Sequence, residues 1–393
     1  MTPIPVSILC CTALASSLFA QKPTSLLNTE QFSVTSKGGL AYRIDVSLPP
    51  KYSTTASVRY PTLYLLDGNL EFAIAAETQR LVNMEGGPEL IIVGIGYQED
   101  DPAVYTERYA ANRTRDYTPT APAEGPEGGQ AQAFLAFLRD ELIPMIDRRY
   151  RTDASDRGLG GHSLGGLFTT YALSHQPTLF RRYWLGSPSL WWDRQLAFRW
   201  LDTAAAPTAG SRVYLSVGEL EGDIMVEPMK RMAAGLKARF PKLDVVSTVH
   251  PGYGHLSVVA GSVTQALRVL YGRPTVPIHA VDARDLVGRW TSTSGQSFTI
   301  TRKNGQLVVN DTFPGFRASS ALRAYGRDEL ASVQGVPYIV TRDSTGRMTW
   351  IIRRLGSPDS LYRKTRTGKP GASSRYARDD TGSRLTAHVK FPT

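Results

Sequence analysis

The sequence predicts an α/β domain, built on a mostly parallel sheet with helices on both faces, followed by a small all-β domain. Short buried strands alternate with helical segments between residues 60 and 270, which is typical of βαβ units. Beyond residue 284 the pattern changes to short alternating strands separated by glycine turns. Within the first domain, a glycine-rich turn at residues 160–166 joins a strand to a helix. We expect the functional residues of the protein to lie at this turn.

The N-terminal segment 1–20 predicts a secretory signal peptide. Residues 6–20 are apolar or small and are too few to span a bilayer comfortably. Cleavage after Ala20 would remove both cysteines, Cys10 and Cys11, and with them any disulfide, cysteine-ligated zinc site or thiol nucleophile. The segment has no Lys or Arg, so an uncleaved anchor is the alternative. We therefore expect a secreted or periplasmic protein with no membrane span after signal cleavage.

The net charge of +10 over 393 residues does not by itself indicate a nucleic-acid partner. Much of the excess lies in the last hundred residues and forms no dense cluster interleaved with aromatics. This distribution favours a solvated basic surface. We find no cluster of metal-ligand residues, so we expect no metal, no cofactor and no nucleic-acid partner.

The first domain is predicted over residues 21–273 and begins with an antiparallel hairpin, 31–36 and 41–48, around a Lys-Gly-Gly turn. The strands that follow are apolar runs ended by turns, and the helices carry apolar side chains three or four residues apart. A polar stretch rich in Pro and Gly, 97–129, is predicted as a long loop. The predicted strands are 60–68, 90–95, 156–159, 180–186, 211–218 and 243–249. The predicted helices are 72–82, 130–148, 167–173, 194–200, 225–240 and 258–270.

The C-terminal third is predicted as a linker at 274–284, a small β-sandwich or barrel at 285–366, and a flexible basic tail at 367–393. The strands predicted in the small domain are 288–291, 298–301, 306–309, 338–340 and 348–351. None of these segments contains a set of residues suited to catalysis.

The turn at residues 160–166, GGHSLGG, matches the G-x-S-x-G pattern of a nucleophile elbow, which occurs between a strand and a helix in α/β-hydrolases. Ser163 is the predicted nucleophile, and the glycines allow the close backbone approaches of a strained turn. The backbone N–H of Leu164 is one predicted donor of an oxyanion hole. The second is the N–H of Asn69, in the turn that ends an early strand. An ordinary glycine-rich turn is the alternative.

A serine hydroxyl needs a base and a group that orients the base. In hydrolases of this type the order along the chain is Ser, acid, His. His255, in a glycine-flanked turn beyond the last strand, is the predicted base. Three carboxylates follow the strand 211–218. Glu221 is favoured, because it lies three residues past the strand-ending glycine and has room to turn back; Glu219 and Asp223 are the alternatives.

Five segments occur together and in order: YLLDG at 64–68, RDYTP at 115–119, GHSLGG at 161–166, SPSLWW at 187–192 and GH at 254–255. Their combination resembles the "putative esterase" family of α/β-hydrolases, which includes esterase D, the antigen 85 mycolyltransferases, feruloyl esterases and enterochelin-type siderophore esterases. The resemblance covers roughly residues 30–272, and SPSLWW is most similar to the siderophore-esterase branch.

The resemblance implies an α/β-hydrolase fold and a serine, acid and histidine site that acts on a small-molecule ester. By position, Asn69 matches the oxyanion donor of the family and Glu221 matches the acid of the siderophore branch. Two shared motifs also predict substrate contacts at Arg115 and Trp192. The alternatives are that Arg115 orders the polar loop, together with Arg113, and that the tryptophans pack in the core.

The predicted function is cleavage of carboxylic esters through an acyl-enzyme intermediate, with a siderophore-type ester as a candidate substrate. An acyltransferase that uses the same residues is one alternative. A non-catalytic binding protein that works through its β domain is another.

Overall fold

The structure is a computed structural model of the chain. It describes residues 25–50, 52, 57–84, 87–98, 106–122, 127–273, 275–292, 294–313, 316–332, 336–353 and 360–364. The predicted signal peptide (1–20) and basic tail (367–393) lie outside these residues. Within the described ranges, no helix is both long and apolar enough to cross a membrane. The chain divides into two compact units between Thr275 and Val276.

The first unit is built on an eight-stranded sheet. Its strands are β1 (Thr29–Thr35), β2 (Ala41–Ser47), β3 (Tyr60–Leu65), β4 (Ile91–Tyr97), β5 (Thr152–His162), β6 (Arg182–Gly186), β7 (Arg212–Gly218) and β8 (Asp244–His250). The order across the sheet is β1-β2-β4-β3-β5-β6-β7-β8. The pairs β1–β2 and β2–β4 are antiparallel and the others are parallel. The predicted mostly parallel α/β fold is confirmed.

Helices cover both faces of this sheet. They are α1 (Gly68–Met84), α2 (Glu107–Tyr117), α3 (Ala131–Phe137), α4 (Ile143–Arg149), α5 (Leu164–His175), α6 (Trp192–Gln195), α7 (Ala197–Thr203), α8 (Asp223–Arg239) and α9 (Val258–Tyr271). Along β3, Leu63 and Leu65 belong to the core that includes α1 and α9 side chains, whereas Tyr64 belongs to the core that includes α3, α5 and α8 side chains. Because successive side chains of a strand point to opposite faces, the two cores lie on opposite sides of the sheet.

The polar stretch predicted as a loop contains α2, and this prediction was wrong for residues 107–117. Thr106 caps the helix by accepting a hydrogen bond from the N–H of Tyr109 (3.0 Å). The buried residues of α2 have helical spacing but include charges: Tyr109, Arg113, Asp116 and Tyr117. A search for apolar periodicity misses such a helix, because its buried charges are stabilised by partners elsewhere in the chain.

The second unit is a closed antiparallel barrel in which each strand pairs with the next, and the last strand, β16 (Ser360–Lys364), pairs with the first, β9 (Gly288–Ser292). Of the two predicted architectures, sandwich or barrel, the barrel forms, and closure leaves no edge strand. The segment predicted as a linker, 274–284, contains most of a further helix, α10 (Ala280–Leu286), capped at its C-terminus by the N–H of Val287. The strands are β9 (Gly288–Ser292), β10 (Ser297–Lys303), β11 (Gln306–Phe313), β12 (Phe316–Ala324), β13 (Glu329–Ser332), β14 (Pro337–Arg342), β15 (Met348–Arg353) and β16 (Ser360–Lys364).

Candidate active site

Ser163 lies between β5 and α5 in a strained backbone conformation, with φ 61° and ψ −117°. A positive φ is uncommon for a residue other than glycine and is found often at functional sites. The turn is tight: a Cβ on Gly161 would lie 2.8 Å from the carbonyl carbon of Gly165. The N–H of Ser163 donates to the carbonyl of Gly186 at the end of β6 (2.8 Å). The local geometry is therefore that of the predicted elbow.

The structure brings His255 against Glu221. The Nδ1 atom of His255 lies 2.5 Å from Oε2 of Glu221, whose side chain is only 2% exposed. The two alternative acids lie elsewhere. Glu219 accepts a hydrogen bond from the N–H of Gly252 (2.9 Å), and Asp223 is exposed at the start of α8. Glu221, the carboxylate favoured by its spacing from the end of the strand, thus makes a contact with His255 that Glu219 and Asp223 do not make.

Hydrogen bonds hold Glu221 in its charged form. Burial by itself raises the pKa of this carboxyl, but donors from His255, Ser187 and the N–H of Gly218 bring the pKa below its ordinary value. The Ser187 hydroxyl and the Gly218 N–H both donate to Oε1, at 2.6 Å and 2.7 Å. Because Oε2 faces His255, each oxygen has a defined partner. An ionised, fixed carboxylate is what orients a neighbouring imidazole and stabilises its protonated form.

His162 packs its ring against His255, with ring centroids 4.5 Å apart. It is 3% exposed, and burial, with a smaller contribution from the nearby His255, lowers its pKa to about 3. The His162 imidazole is therefore neutral near pH 7. A buried, neutral ring at this position packs the elbow against His255.

The two predicted oxyanion donors begin helices. Leu164 is the first residue of α5, and Asn69 is the second residue of α1. The first N–H groups of a helix have no carbonyl partner within it and carry positive partial charge. The side chain of Asn69 fixes the second position by pairing with the backbone of Tyr97 in both directions, at 2.7 Å and 3.0 Å. Gly68 is required beside it, since a Cβ there would lie 2.9 Å from the backbone of Gly94.

A buried ion pair braces the same turn, and the sequence did not predict it as a pair. Arg113 donates to both carboxylate oxygens of Asp67, at 2.7 Å and 2.9 Å, and Tyr109 donates to the same carboxylate at 2.7 Å. The N–H of Asp67 donates to the Tyr117 hydroxyl (3.1 Å). Arg113 also reaches the carbonyl of His162, the residue before Ser163 (3.4 Å). The predicted alternative that Arg113 orders the loop fits these contacts.

Arg115 is held by its neighbours on α2. Its guanidinium donates to both oxygens of Asp116, each at 2.8 Å, and to the Asn112 side chain at 2.8 Å. Asp116 in turn accepts from the Tyr42 hydroxyl of the core (3.1 Å). These contacts favour the ordering role over the predicted substrate contact.

The tryptophan segment begins beside the serine. The hydroxyl oxygens of Ser189 and Ser163 lie 3.4 Å apart, and the N–H of Ser189 donates to the Ser163 carbonyl (3.1 Å). Two residues further on, Trp191 is 44% exposed. Trp192 is half-buried, with its indole N–H donating to Thr120 (3.0 Å). One ring is therefore fixed and the other faces solvent.

The model of the "Putative esterase" family matches residues 37–253, more than half of the 393 residues. The chain belongs to this family. It is a carboxylic ester hydrolase, as the sequence motifs predicted.

Two relatives of this esterase are siderophore esterases by name. The ferri-bacillibactin esterase of Bacillus subtilis is 32% identical over 256 residues, covering 58% of this chain and 83% of the relative. The siderophore enterobactin esterase of Emericella nidulans is 29% identical over 238 residues, covering 56% and 73%. A solved structure, the BES protein of Bacillus cereus, matches with a TM-score of 0.57 and 30% identity, covering 63% and 97%. The predicted siderophore-esterase branch is confirmed.

The esterase match ends at residue 253, so the matched segment includes neither His255 nor the barrel. Among the described residues, no group of three or more His, Cys, Asp or Glu side chains could hold a metal ion. At the elbow, the ring of His162 packs against that of His255, and His255 contacts Glu221.

Proposed function

We propose that this esterase cleaves its substrate through an acyl-enzyme on Ser163, with His255 as general base and Glu221 as the residue that orients His255. The observation that carries the proposal is the 2.5 Å contact between His255 Nδ1 and Glu221 Oε2, with the His255 ring packed on His162, the residue before Ser163. With Nδ1 donating to the carboxylate, Nε2 is the nitrogen that can accept the proton of the serine hydroxyl.

The reaction then takes two steps. The Oγ of Ser163 attacks the ester carbonyl carbon, and its proton passes to Nε2 of His255. The resulting oxyanion accepts hydrogen bonds from the N–H groups of Leu164 and Asn69. The imidazolium protonates the departing alkoxide, which leaves the acyl group on Ser163. Water gives a proton to His255 and attacks that acyl group; the imidazolium then returns a proton to Oγ of Ser163 as the bond to the acyl group breaks, which releases the carboxylic acid and the free enzyme.

We infer that the substrate is a siderophore-type ester, because relatives at 32% and 29% identity are siderophore esterases by name. The tryptophan pair supports an aromatic acyl group. Trp191 and Trp192 follow closely on Ser189, whose hydroxyl lies 3.4 Å from that of Ser163. The fixed ring of Trp192 is the proposed substrate contact, since aromatic groups pack favourably on such a face.

We also propose that the enzyme is exported, to the periplasm or the medium, because residues 1–20 have the composition of a signal peptide. Mass spectrometry of the protein recovered from its native compartment should give Gln21 as the first residue. Recovery of the intact N-terminus in the cytoplasm would contradict export.

The test of the nucleophile is Ser163→Ala, assayed on p-nitrophenyl acetate. We expect kcat to fall by roughly 10⁶-fold, to the limit of detection, as when a triad serine is removed. Ser189→Ala is the matched control, because it removes a hydroxyl 3.4 Å away from the nucleophile and should leave most of the activity. Full turnover by Ser163→Ala would reject the proposed mechanism.

The test of the substrate is a comparison of kcat/KM for a ferric catecholate trilactone with that for short-chain acyl esters. A preference for the trilactone supports the siderophore proposal, and equal or lower values reject it.

Adding sugar or alcohol acceptors to the same reactions distinguishes hydrolysis from acyl transfer. Hydrolysis gives only the free acid, whereas transfer gives new esters.

A further inference from the structure

The segment that ends β6 connects the strand of the nucleophile to the strand of the acid. On one side, the Gly186 carbonyl accepts from the N–H of Ser163 (2.8 Å), and the N–H of Ser189 donates to the Ser163 carbonyl (3.1 Å). On the other side, the N–H of Ser187 donates to the Ser216 carbonyl in β7 (2.7 Å). A few residues of one loop thus fix both Ser163 and the strand that leads to Glu221.

The side chain of Ser187 points to the acid. It is fully buried, and its hydroxyl donates to Oε1 of Glu221 at 2.6 Å. An ionised carboxylate can only accept hydrogen bonds. The hydrogen of the Ser187 hydroxyl must therefore lie between Oγ of Ser187 and Oε1 of Glu221. The Gly218 N–H supports the same Oε1, while Oε2 meets His255. Ser187 is therefore one of the two donors that oppose His255 across the carboxylate.

The backbone of Ser187 is strained. Its φ of 36° lies in the left-handed region, which glycine adopts more readily than serine. Such conformations persist where the surrounding structure holds them, and they are concentrated at functional sites. Glycine would relieve the strain but has no hydroxyl. A serine at this position has an unfavourable backbone conformation, but it provides the hydroxyl that glycine lacks.

We propose that Ser187 is a positioning residue: its hydroxyl fixes the Glu221 carboxylate in the orientation that meets His255, and it acts on the reaction only through that pair. This inference rests on the proposed function, because it assigns Ser187 to the same site. Burial raises the pKa of Glu221 and the donors lower it. Removing one of these donors therefore weakens both the orientation and the charge of the carboxylate.

The first experiment compares Ser187→Ala with Ser187→Gly. Both remove the hydroxyl, but only glycine suits the positive φ. We expect both to lower kcat about tenfold, the loss of one hydrogen bond to a charged group, with KM within about twofold of the parent. Full kcat in Ser187→Gly together with a loss in Ser187→Ala would assign the effect to the backbone and overturn the proposal. Full kcat in both would overturn it as well.

The second experiment is a double-mutant cycle with Glu221→Gln. If Ser187 acts only through Glu221, then Ser187→Ala should change the low kcat of Glu221→Gln by less than about twofold. An undiminished tenfold loss in that background would mean an independent structural role and would reject the inference. Thermal unfolding of each variant checks the fold, and Ser187→Gly carries the cycle if Ser187→Ala does not fold.

The outcome is distinguishable from failure of the proposed function. An inactive Ser163→Ala with a fully active Ser187→Ala removes only the role of Ser187. A fully active Ser163→Ala removes the proposed mechanism, whatever the Ser187 variants do.

Discussion

The α/β unit and the barrel each bury an aspartate–arginine pair that a tyrosine hydroxyl completes. In the α/β unit, Asp67 is held by Arg113 and Tyr109 (2.7 Å each). In the barrel, Asp311 lies 3.0 Å from Arg353 and accepts from Tyr338 at 3.0 Å. All four charged side chains are at least nine-tenths buried. Each cluster therefore combines a buried carboxylate, a buried guanidinium and a tyrosine hydroxyl.

The clusters differ in what they connect. Asp67 precedes the proposed oxyanion donor, and Arg113 also reaches the carbonyl of His162, next to the nucleophile. The barrel cluster joins strands β11, β14 and β15 of a sheet that is already closed by backbone pairing. We therefore expect a buried charge pair to matter for activity only where its partners hold the backbone of the site. Loss of either pair should destabilise its own unit, but only loss of the Asp67–Arg113 pair should lower kcat.

Of the substitutions in the two clusters, Arg113→Met should have the largest combined effect on stability and on kcat. Removing one partner of a buried pair leaves the Asp67 carboxylate without its bidentate donor, and such changes cost about 3–5 kcal/mol of unfolding free energy. Because the turn before Asn69 loses its brace, kcat should also fall by at least tenfold. Chemical denaturation and p-nitrophenyl acetate turnover measure the two quantities.

The control is the double variant Asp67→Asn/Arg113→Met. It leaves no unpaired charge, and asparagine tolerates the φ of 52° at position 67. It should recover most of the lost stability while kcat stays low. Recovery of full kcat as well would mean that the pair contributes to folding alone.

Arg353→Met is the matched change in the barrel. We expect a similar loss of about 3–5 kcal/mol in the unfolding free energy of that unit, since the Asp311 carboxylate is left buried without its cation. The kcat on p-nitrophenyl acetate should stay within twofold of the parent. A loss of kcat that matches Arg113→Met would remove the distinction between the two clusters.

The sequence predicted well what depends on local order along the chain. The parallel sheet followed from strand and helix alternation. The contact of Glu221 with His255 agrees with the preference for a carboxylate three residues past the end of a strand. The catalytic roles of Ser163, His255 and Glu221 stay predictions, because the geometry places the groups without testing the reaction.

The sequence did not predict what depends on distant polar partners. The Arg113–Asp67 pair joins residues 46 positions apart, and the Ser187–Glu221 contact joins residues 34 apart. Helix α2 was missed for the same reason, since half of its buried residues are charged. The buried residues of α2 have helical spacing: Tyr109, Arg113, Asp116 and Tyr117. A search that accepts charged residues on the buried face of a helix would have predicted α2 from this spacing.

The two units should also differ in how their unfolding free energy depends on pH, and this effect is smaller than loss of a buried ion pair. The buried His162 has its pKa lowered to about 3 by burial and by His255, so the folded state stays neutral there while the unfolded chain takes up a proton below about pH 6.5. The stability contributed by the neutral ring is complete above that pH and is lost as pH falls. Linkage gives about 2 kcal/mol between pH 8 and pH 5.

Denaturation at pH 8 and pH 5 measures this loss, and His162→Gln should abolish most of it. The described residues of the barrel include no buried histidine. The unfolding of the barrel is therefore an internal control that should not show this histidine-linked loss. An equal change in parent and His162→Gln would mean that other groups cause the acid sensitivity.

One tyrosine in each cluster allows a milder change than loss of the arginine. Tyr109→Phe and Tyr338→Phe each delete one hydroxyl that donates to a buried aspartate, and each should cost about 1.5–3 kcal/mol in its own unit, as for a hydrogen bond to a charged group. Tyr109→Phe should lower kcat by a few-fold, because Asp67 loses one of the donors that hold the turn before Asn69. Tyr338→Phe should leave kcat unchanged. Since the two substitutions are chemically identical, a difference in kcat between them isolates the connection to the site from the strength of the hydrogen bond.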